Sequence, residues 1–141
     1  MKAALLVTVV ASWYLVGLSV TVALVVYPSF DIVDERSWPV FHRHHMARIT
    51  WAVGAAWAAQ ALGLVWWFAR SPHRLSLSWW LCAAGAAAAV LLTVGGAVRI
   101  HERLQETFDP RLGRTLRLLH GLRTACWLLA AVGATAGLAS A

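Results

Sequence analysis

The stretch SWWLCAAGAAAAVLLTVGGAV, residues 78–98, carries no charged side chain and decides the fold class of this chain. A helix needs about 20 consecutive, mostly apolar residues to cross a bilayer. Residues 3–27, 49–68 and 118–139 form three further apolar stretches of about that length. The four stretches together predict an all-α integral membrane protein, a four-helix bundle of up-down-up-down topology.

The composition excludes a soluble domain and gives the basic residues a membrane role. Of the 141 residues, 60% are hydrophobic and 13% are charged, which is too apolar for a water-exposed surface. The net charge of +6 comes from residues at the ends of the apolar stretches, where Arg meets lipid headgroups. We therefore expect a multi-pass protein of a bacterial cell membrane, with the lipid bilayer and no nucleic acid as partner.

The helix boundaries follow from caps and prolines. Ser37-Trp38-Pro39 and Asp109-Pro110 each join a cap residue to an early proline, which predicts the starts of the second and fourth helices. Residues 69–74 are expected to form a tight connection. The chain, 1–141, is thus predicted to be one domain with helices at about 3–27, 38–69, 77–107 and 110–139.

Titratable side chains are gathered at one end of the predicted bundle. This end holds all six acidic residues: Asp31, Asp34, Glu35, Glu102, Glu106 and Asp109. It also holds five of the six histidines: His42, His44, His45, His101 and His120. The candidate site is therefore expected at this rim of the bundle.

Two histidines of the second helix are predicted to face the interior. His42 and His45 are three residues apart and so share a helical face. The same face continues through Ile49, Ala52 and Ala56, and its small side chains would let another helix approach or leave room for a ligand. The opposite face is predicted to meet lipid headgroups through His44, Arg48 and Trp51.

The fourth helix carries the sharpest candidate, Arg123. His120, Arg123 and Trp127 form one stripe that runs inward from the rim. Ionisable groups at membrane depth usually face the protein interior and mark functional sites. Trp127 is expected to stack on a flat apolar substrate, and Tyr14 of the first helix is expected to hydrogen-bond that substrate.

Two kinds of chemistry fit these residues. In one, a metal ion (Fe, Cu or Zn) is bound by the histidines of three helices, namely His42, His45, His101 and His120. In the other, no metal or other cofactor takes part. A histidine then acts as general base, and Arg123 stabilises an enolate or phenolate in a site of low dielectric constant.

Small residues predict close packing of the fourth helix. Gly133 and Gly137 have the GxxxG spacing that lets transmembrane helices approach closely. The contact is expected either within the bundle or in a homo-oligomer.

Four short motifs follow one another in the order of a known family. YPSF (27–30), FHRHHMARI (41–49), HERLQETFD (101–109) and LRLLHGLRTACW (116–127) resemble the small four-helix membrane proteins that include the fungal anthrone oxygenases. That family has an Asn-Trp-x-Arg-Thr-like motif at its last helix. This chain has His120 at the Asn position and matches the family at Arg123 and Thr124.

The resemblance implies an oxygenase reaction on an aromatic substrate. Dioxygen would attack a carbanion-like carbon, His120 or His42 would remove the proton, and Arg123 would hold the oxyanion. The first hypothesis is thus a membrane oxidoreductase of secondary metabolism that acts on a lipophilic small molecule. The alternatives are a metal-binding membrane protein and a non-enzymatic accessory subunit of a membrane complex.

Overall fold

The computed structural model describes residues 2–71 and 75–141, and every regular element in them is helical. Four long helices follow one another: α1 Lys2–Phe30, α2 Trp38–Arg70, α3 Leu77–Arg103 and α4 Pro110–Ala139. Each is long and apolar enough to cross a membrane, by length and composition. The prediction of four helices is confirmed, and the predicted tight connection falls partly on 72–74, outside the described residues.

One predicted helix end is wrong. The third helix was expected to reach residue 107, but α3 ends at Arg103. Leu104 leaves the helix and is fully buried, and its carbonyl accepts a hydrogen bond from the indole Nε1 of Trp38 at 2.6 Å. This carbonyl accepts its hydrogen bond from a distant side chain rather than from the backbone N–H of the next helical turn, as expected where a helix ends.

The starts of α2 and α4 are capped in different ways. Asp109 accepts a hydrogen bond from the backbone N–H of Arg111 at 2.7 Å, as expected of a cap residue. Ser37 makes no such side-chain bond, contrary to the sequence expectation. The carboxylate of Asp34 instead accepts bonds from the backbone of Ser37 and Arg36. Hydrogen bonding from Ser37, and then from Arg36, lowers the pKa of Asp34.

Helix α4 lies at the centre of the packing. It packs along both α1 and α3, and α1 also packs along α2, whereas α2 and α3 touch only sparsely. Gly133 brings the backbone of α4 against Ser78 and Cys82 of α3, and Gly137 lies against Trp67 of α2. The close approach predicted for these two glycines therefore occurs within the bundle.

Two helices widen at places that line the same cavity. Val22–Val26 in α1 and Thr93–Ala97 in α3 are π-helical. A π segment adds a residue to the turn and shifts the side chains that follow it, and such segments are frequent at functional sites. Val22 and Thr93 both line the cavity described below, so the two irregularities shape one space.

An aromatic cap closes the histidine-rich end of the bundle. Its four members are Phe30, Trp38, Phe41 and Phe108, whose rings meet at centroid distances of 4.9–6.4 Å. Because Phe30 and Trp38 are almost fully buried, the cap separates the histidines behind it from water.

Candidate functional site

A cavity of about 360 Å³ lies between the four helices, beneath the aromatic cap. Most of its lining is aliphatic or aromatic. The lining side chains that contain nitrogen or oxygen are Ser19, Tyr27, His45, Thr50, Trp57, Thr93, His101, His120, Arg123 and Trp127. None of the described residues that line it is Asp or Glu, so its single permanent charge is the cation of Arg123.

The protonation of His120 follows from its two partners. Its Nε2 lies 2.8 Å from the backbone oxygen of Ser19. A carbonyl only accepts, so Nε2 carries the proton and donates it. The other ring nitrogen, Nδ1, then accepts a hydrogen bond from Nη2 of Arg123. Both nitrogens of His120 are therefore engaged, and the side chain holds Arg123 rather than a substrate.

Arg123 is anchored by neutral groups only. Besides its bond to His120, its Nη1 donates to the hydroxyl of Thr93 at 3.3 Å. The phenol of Tyr27 lies next to the same guanidinium. The third nitrogen, Nε, is buried and has no hydrogen-bond partner among the described residues. No carboxylate within 2–71 and 75–141 forms an ion pair with Arg123.

A second donor of the cavity is also unused. The indole Nε1 of Trp57 is buried without a hydrogen-bond partner among the described residues. Buried donors are nearly always satisfied, and each one left without a partner costs about 1–3 kcal/mol. Trp57 and Arg123 both line the cavity, so each of them brings a donor without a partner to its wall.

Three histidines gather at the capped end of the cavity. His42 is 1% exposed, and its Nε2 lies 3.1 Å from Nδ1 of His101. The ring of His45 lies 5.9 Å from that of His101, centroid to centroid. His45 and His101 line the cavity, whereas His42 stands behind them, stacked on Trp38 at 5.2 Å. The three rings thus lie between the cap and the cavity, with His42 on the side of the cap and His45 and His101 on the side of the cavity.

The four predicted metal ligands divide into two groups. His42 and His101 bond to each other with His45 beside them, whereas His120 lies apart and bonds to Ser19 and Arg123. Within the part of the chain that the structure describes, no group of three or more His, Cys, Asp or Glu side chains is placed to hold a metal ion. The geometry therefore gives the metal hypothesis no support.

Trp127 faces the interior of the bundle, as predicted. It is buried, lines the cavity one turn after Arg123, and packs against Trp57 at a centroid distance of 6.3 Å. It offers the cavity an apolar surface, as the prediction of a stacking residue requires.

Tyr14 does not line this cavity, so the geometry gives its predicted contact with substrate no support. Its side chain is 49% exposed and lines a separate outer groove between α1 and α2, together with Ala52 and Ala56. Ala56 is buried in the core, as predicted for the inward side of α2, and the residues of α2 that line the cavity include Ile49, Val53 and Trp57. His44 and Trp51 are exposed, as predicted.

Four residues of the site were missed in the sequence: Ser19, Tyr27, Trp57 and Thr93. Only Tyr27 carried a signal, since it belongs to the YPSF motif. Ser19 acts through its backbone oxygen, which every residue has, so its residue type gives no signal. Thr93 and Trp57 are common residues in apolar helices, and their roles depend on which helix lies opposite.

Comparisons of the chain with protein-family models, with curated proteins and with solved structures find no match. The resemblance to the anthrone oxygenases therefore stays a prediction, and the function is argued from the site itself.

Proposed function

We propose that the protein is an integral membrane enzyme that acts on a lipophilic small molecule bound in the cavity. Its four helices would cross a bacterial cell membrane in up-down-up-down order. The observation that carries the proposal is Arg123, a half-buried cation in an apolar cavity, with one buried nitrogen unpartnered and no carboxylate beside it. A charge so placed attracts negative charge that develops on a substrate oxygen.

The substrate oxygen would be held by two donors. Arg123 supplies the positive charge, and the Nε1 of Trp57 supplies a second N–H. His120 acts here as a positioning residue, because its Nδ1 accepts from Arg123 while its Nε2 is anchored on Ser19. Preorganised donors of this kind stabilise an oxyanion without reorganising during the reaction.

His101 is the histidine best placed to remove a proton. When its Nδ1–H donates to Nε2 of His42, its own Nε2 has a free lone pair. His101 lines the cavity, and His42 behind it orients the ring. The roles proposed from sequence for His42 and His120 as bases are therefore reassigned: both support another residue.

The reaction that fits these roles is oxygenation of an enolisable aromatic ketone. His101 removes a proton from the methylene carbon, and the charge moves to the oxygen held by Arg123 and Trp57. Dioxygen adds to the carbanion to give a hydroperoxide, which loses water and leaves a carbonyl. The methylene and dioxygen thus become a carbonyl and water, and dioxygen is the oxidant.

The test is oxygen consumption by the detergent-purified protein with anthrone as substrate. We expect turnover by the wild type, and a loss of about 10²-fold or more in Arg123→Gln and His101→Gln. The matched controls, Arg99→Gln and His44→Gln, change exposed residues near the same end of the bundle and should leave the rate unchanged. Full activity of Arg123→Gln would overturn the proposal, and an inactive wild type would reject the oxygenation step.

A further inference from the structure

The exposed lining residues of the cavity indicate an opening at its side. All but three of its lining residues are buried or half-buried; the exposed ones are Thr50 and Gly54 of α2 and Val94 of α3. These three face the seam at which α2 and α3 touch only sparsely. Val94 is 57% exposed and belongs to the π segment of α3. The opening therefore lies between α2 and the widened part of α3.

The opening lies deep within the spanning helices. Gly54 stands at the midpoint of α2, Trp38–Arg70, and Val94 stands about one turn past the midpoint of α3, Leu77–Arg103. At about 1.5 Å per residue, Gly54 lies about 24 Å from either end of α2, and Val94 lies about 13 Å from the nearer end of α3, at Arg103. In a bilayer, an opening at this level faces acyl chains rather than water.

We propose that the substrate is a tailed lipid whose oxygen-bearing head occupies the cavity while its apolar tail leaves through the opening between Gly54 and Val94. This inference rests on the proposed function, because it uses the same cavity and deepens it by naming the class of substrate. The class is an isoprenoid- or alkyl-substituted aromatic dissolved in the membrane.

The chemistry of the cavity separates head from tail. The inner part presents Arg123 and the histidines, and the cavity also carries the unpartnered N–H of Trp57. The opening is lined by Thr50, Gly54 and Val94, which together present one hydroxyl group and otherwise apolar atoms. A volume of about 360 Å³ accommodates a fused aromatic head but leaves no room for a long chain. A tail must therefore extend outside, where acyl chains solvate it.

Substitution of Gly54 by a larger residue can block the opening without disturbing the fold. A Cβ built at Gly54 meets nothing within 4 Å, so a Leu there would project into open space. Gly17 of α1 offers the matched control, since it is exposed, has the same free surroundings and does not line the cavity.

The experiment measures binding of two coloured probes to protein in lipid nanodiscs. One is 2-hydroxy-1,4-naphthoquinone, and the other carries an undecyl chain at carbon 3. Each variant is compared with the wild type for the same probe, so partition of the probe into lipid cancels. Thermal unfolding confirms that each variant is folded.

We expect Gly54→Leu to weaken binding of the undecyl probe at least tenfold, with less than a threefold effect on the tailless probe. Gly17→Leu should change neither. Equal loss of both probes, or loss of neither, would overturn the tail path, as would failure of the undecyl probe to bind the wild type. Arg123→Gln tests the head site separately: if it leaves both affinities unchanged, the proposed function fails even where the Gly54→Leu result stands.

Discussion

The guanidinium of Arg123 is held by Nδ1 of His120, which lies one helical turn before it on α4. The histidine is itself tied to the backbone of α1 through Ser19, so the orientation of the cation is set by two helices. In a bilayer, an arginine at this position would otherwise extend toward water, as long basic side chains do at membrane interfaces. The pair therefore keeps a positive charge inside an apolar cavity.

Replacing His120 by Phe should weaken binding of an anionic ligand. Phe retains a ring against Tyr27, whose centroid lies 4.9 Å from that of His120, but it offers Arg123 no acceptor. We expect about a tenfold loss in affinity for 2-hydroxy-1,4-naphthoquinone, equivalent to about 1.4 kcal/mol. Equilibrium dialysis measures it, with His44→Phe as control. An unchanged affinity would show that Arg123 keeps its position without His120.

Replacing His42 by Leu should slow proton removal without affecting binding. His42 does not line the cavity, but it is the hydrogen-bond partner of His101. Loss of that partner frees the ring and the tautomer of His101, so we expect kcat with anthrone to fall at least tenfold while KM stays within twofold. The oxygen electrode measures both constants. A rise in KM at constant kcat would place His42 in substrate binding instead.

Replacing Trp38 by Phe should destabilise the capped end of the bundle. The change removes the 2.6 Å hydrogen bond to the carbonyl of Leu104 and leaves that buried oxygen unsatisfied. We expect a loss of about 2 kcal/mol in the free energy of unfolding, measured by SDS titration and circular dichroism. Trp51→Phe, at a residue that is 82% exposed, should have no measurable effect. Equal stability of the two variants would contradict the role of the cap.

Replacing Gly133 by Ala should force α3 and α4 apart. An added Cβ would lie 2.6 Å from the backbone nitrogen of Cys82 and 2.8 Å from the oxygen of Ser78. Backbone cannot give way as a side chain does, so we expect a loss of about 1–3 kcal/mol on unfolding. Gly17→Ala, where a Cβ meets nothing within 4 Å, should be neutral. If both variants unfold at the same temperature, the contact between α3 and α4 is looser than described.

The inward residues of α4 were predictable, because their distance from the helix start and the helical period together determine where they lie. Arg123 and Trp127 are placed by counting residues from the helix start, and both line the cavity as expected. For α2 the prediction held in part: Ala56 is buried in the core as expected, but the cavity itself is lined by Ile49, Val53 and Trp57. The periodicity of α2 identifies its inward side, but it does not say which of these residues pack against a neighbouring helix and which line a cavity.

The sequence by itself determined the four helices, the gathering of histidines and acids at one end, and Arg123 as a charge at depth. Apolar length and residue order decide these properties, because a bilayer-spanning helix satisfies its own backbone. Only the tertiary structure decided that His120 serves Arg123, that His42 stands behind His101, and that Tyr14 faces outward. The bond between His42 and His101, and the bond of His120 to Ser19 that orients it toward Arg123, join residues of different helices. These bonds and the outward position of Tyr14 depend on how each helix is rotated against its neighbours, which packing sets.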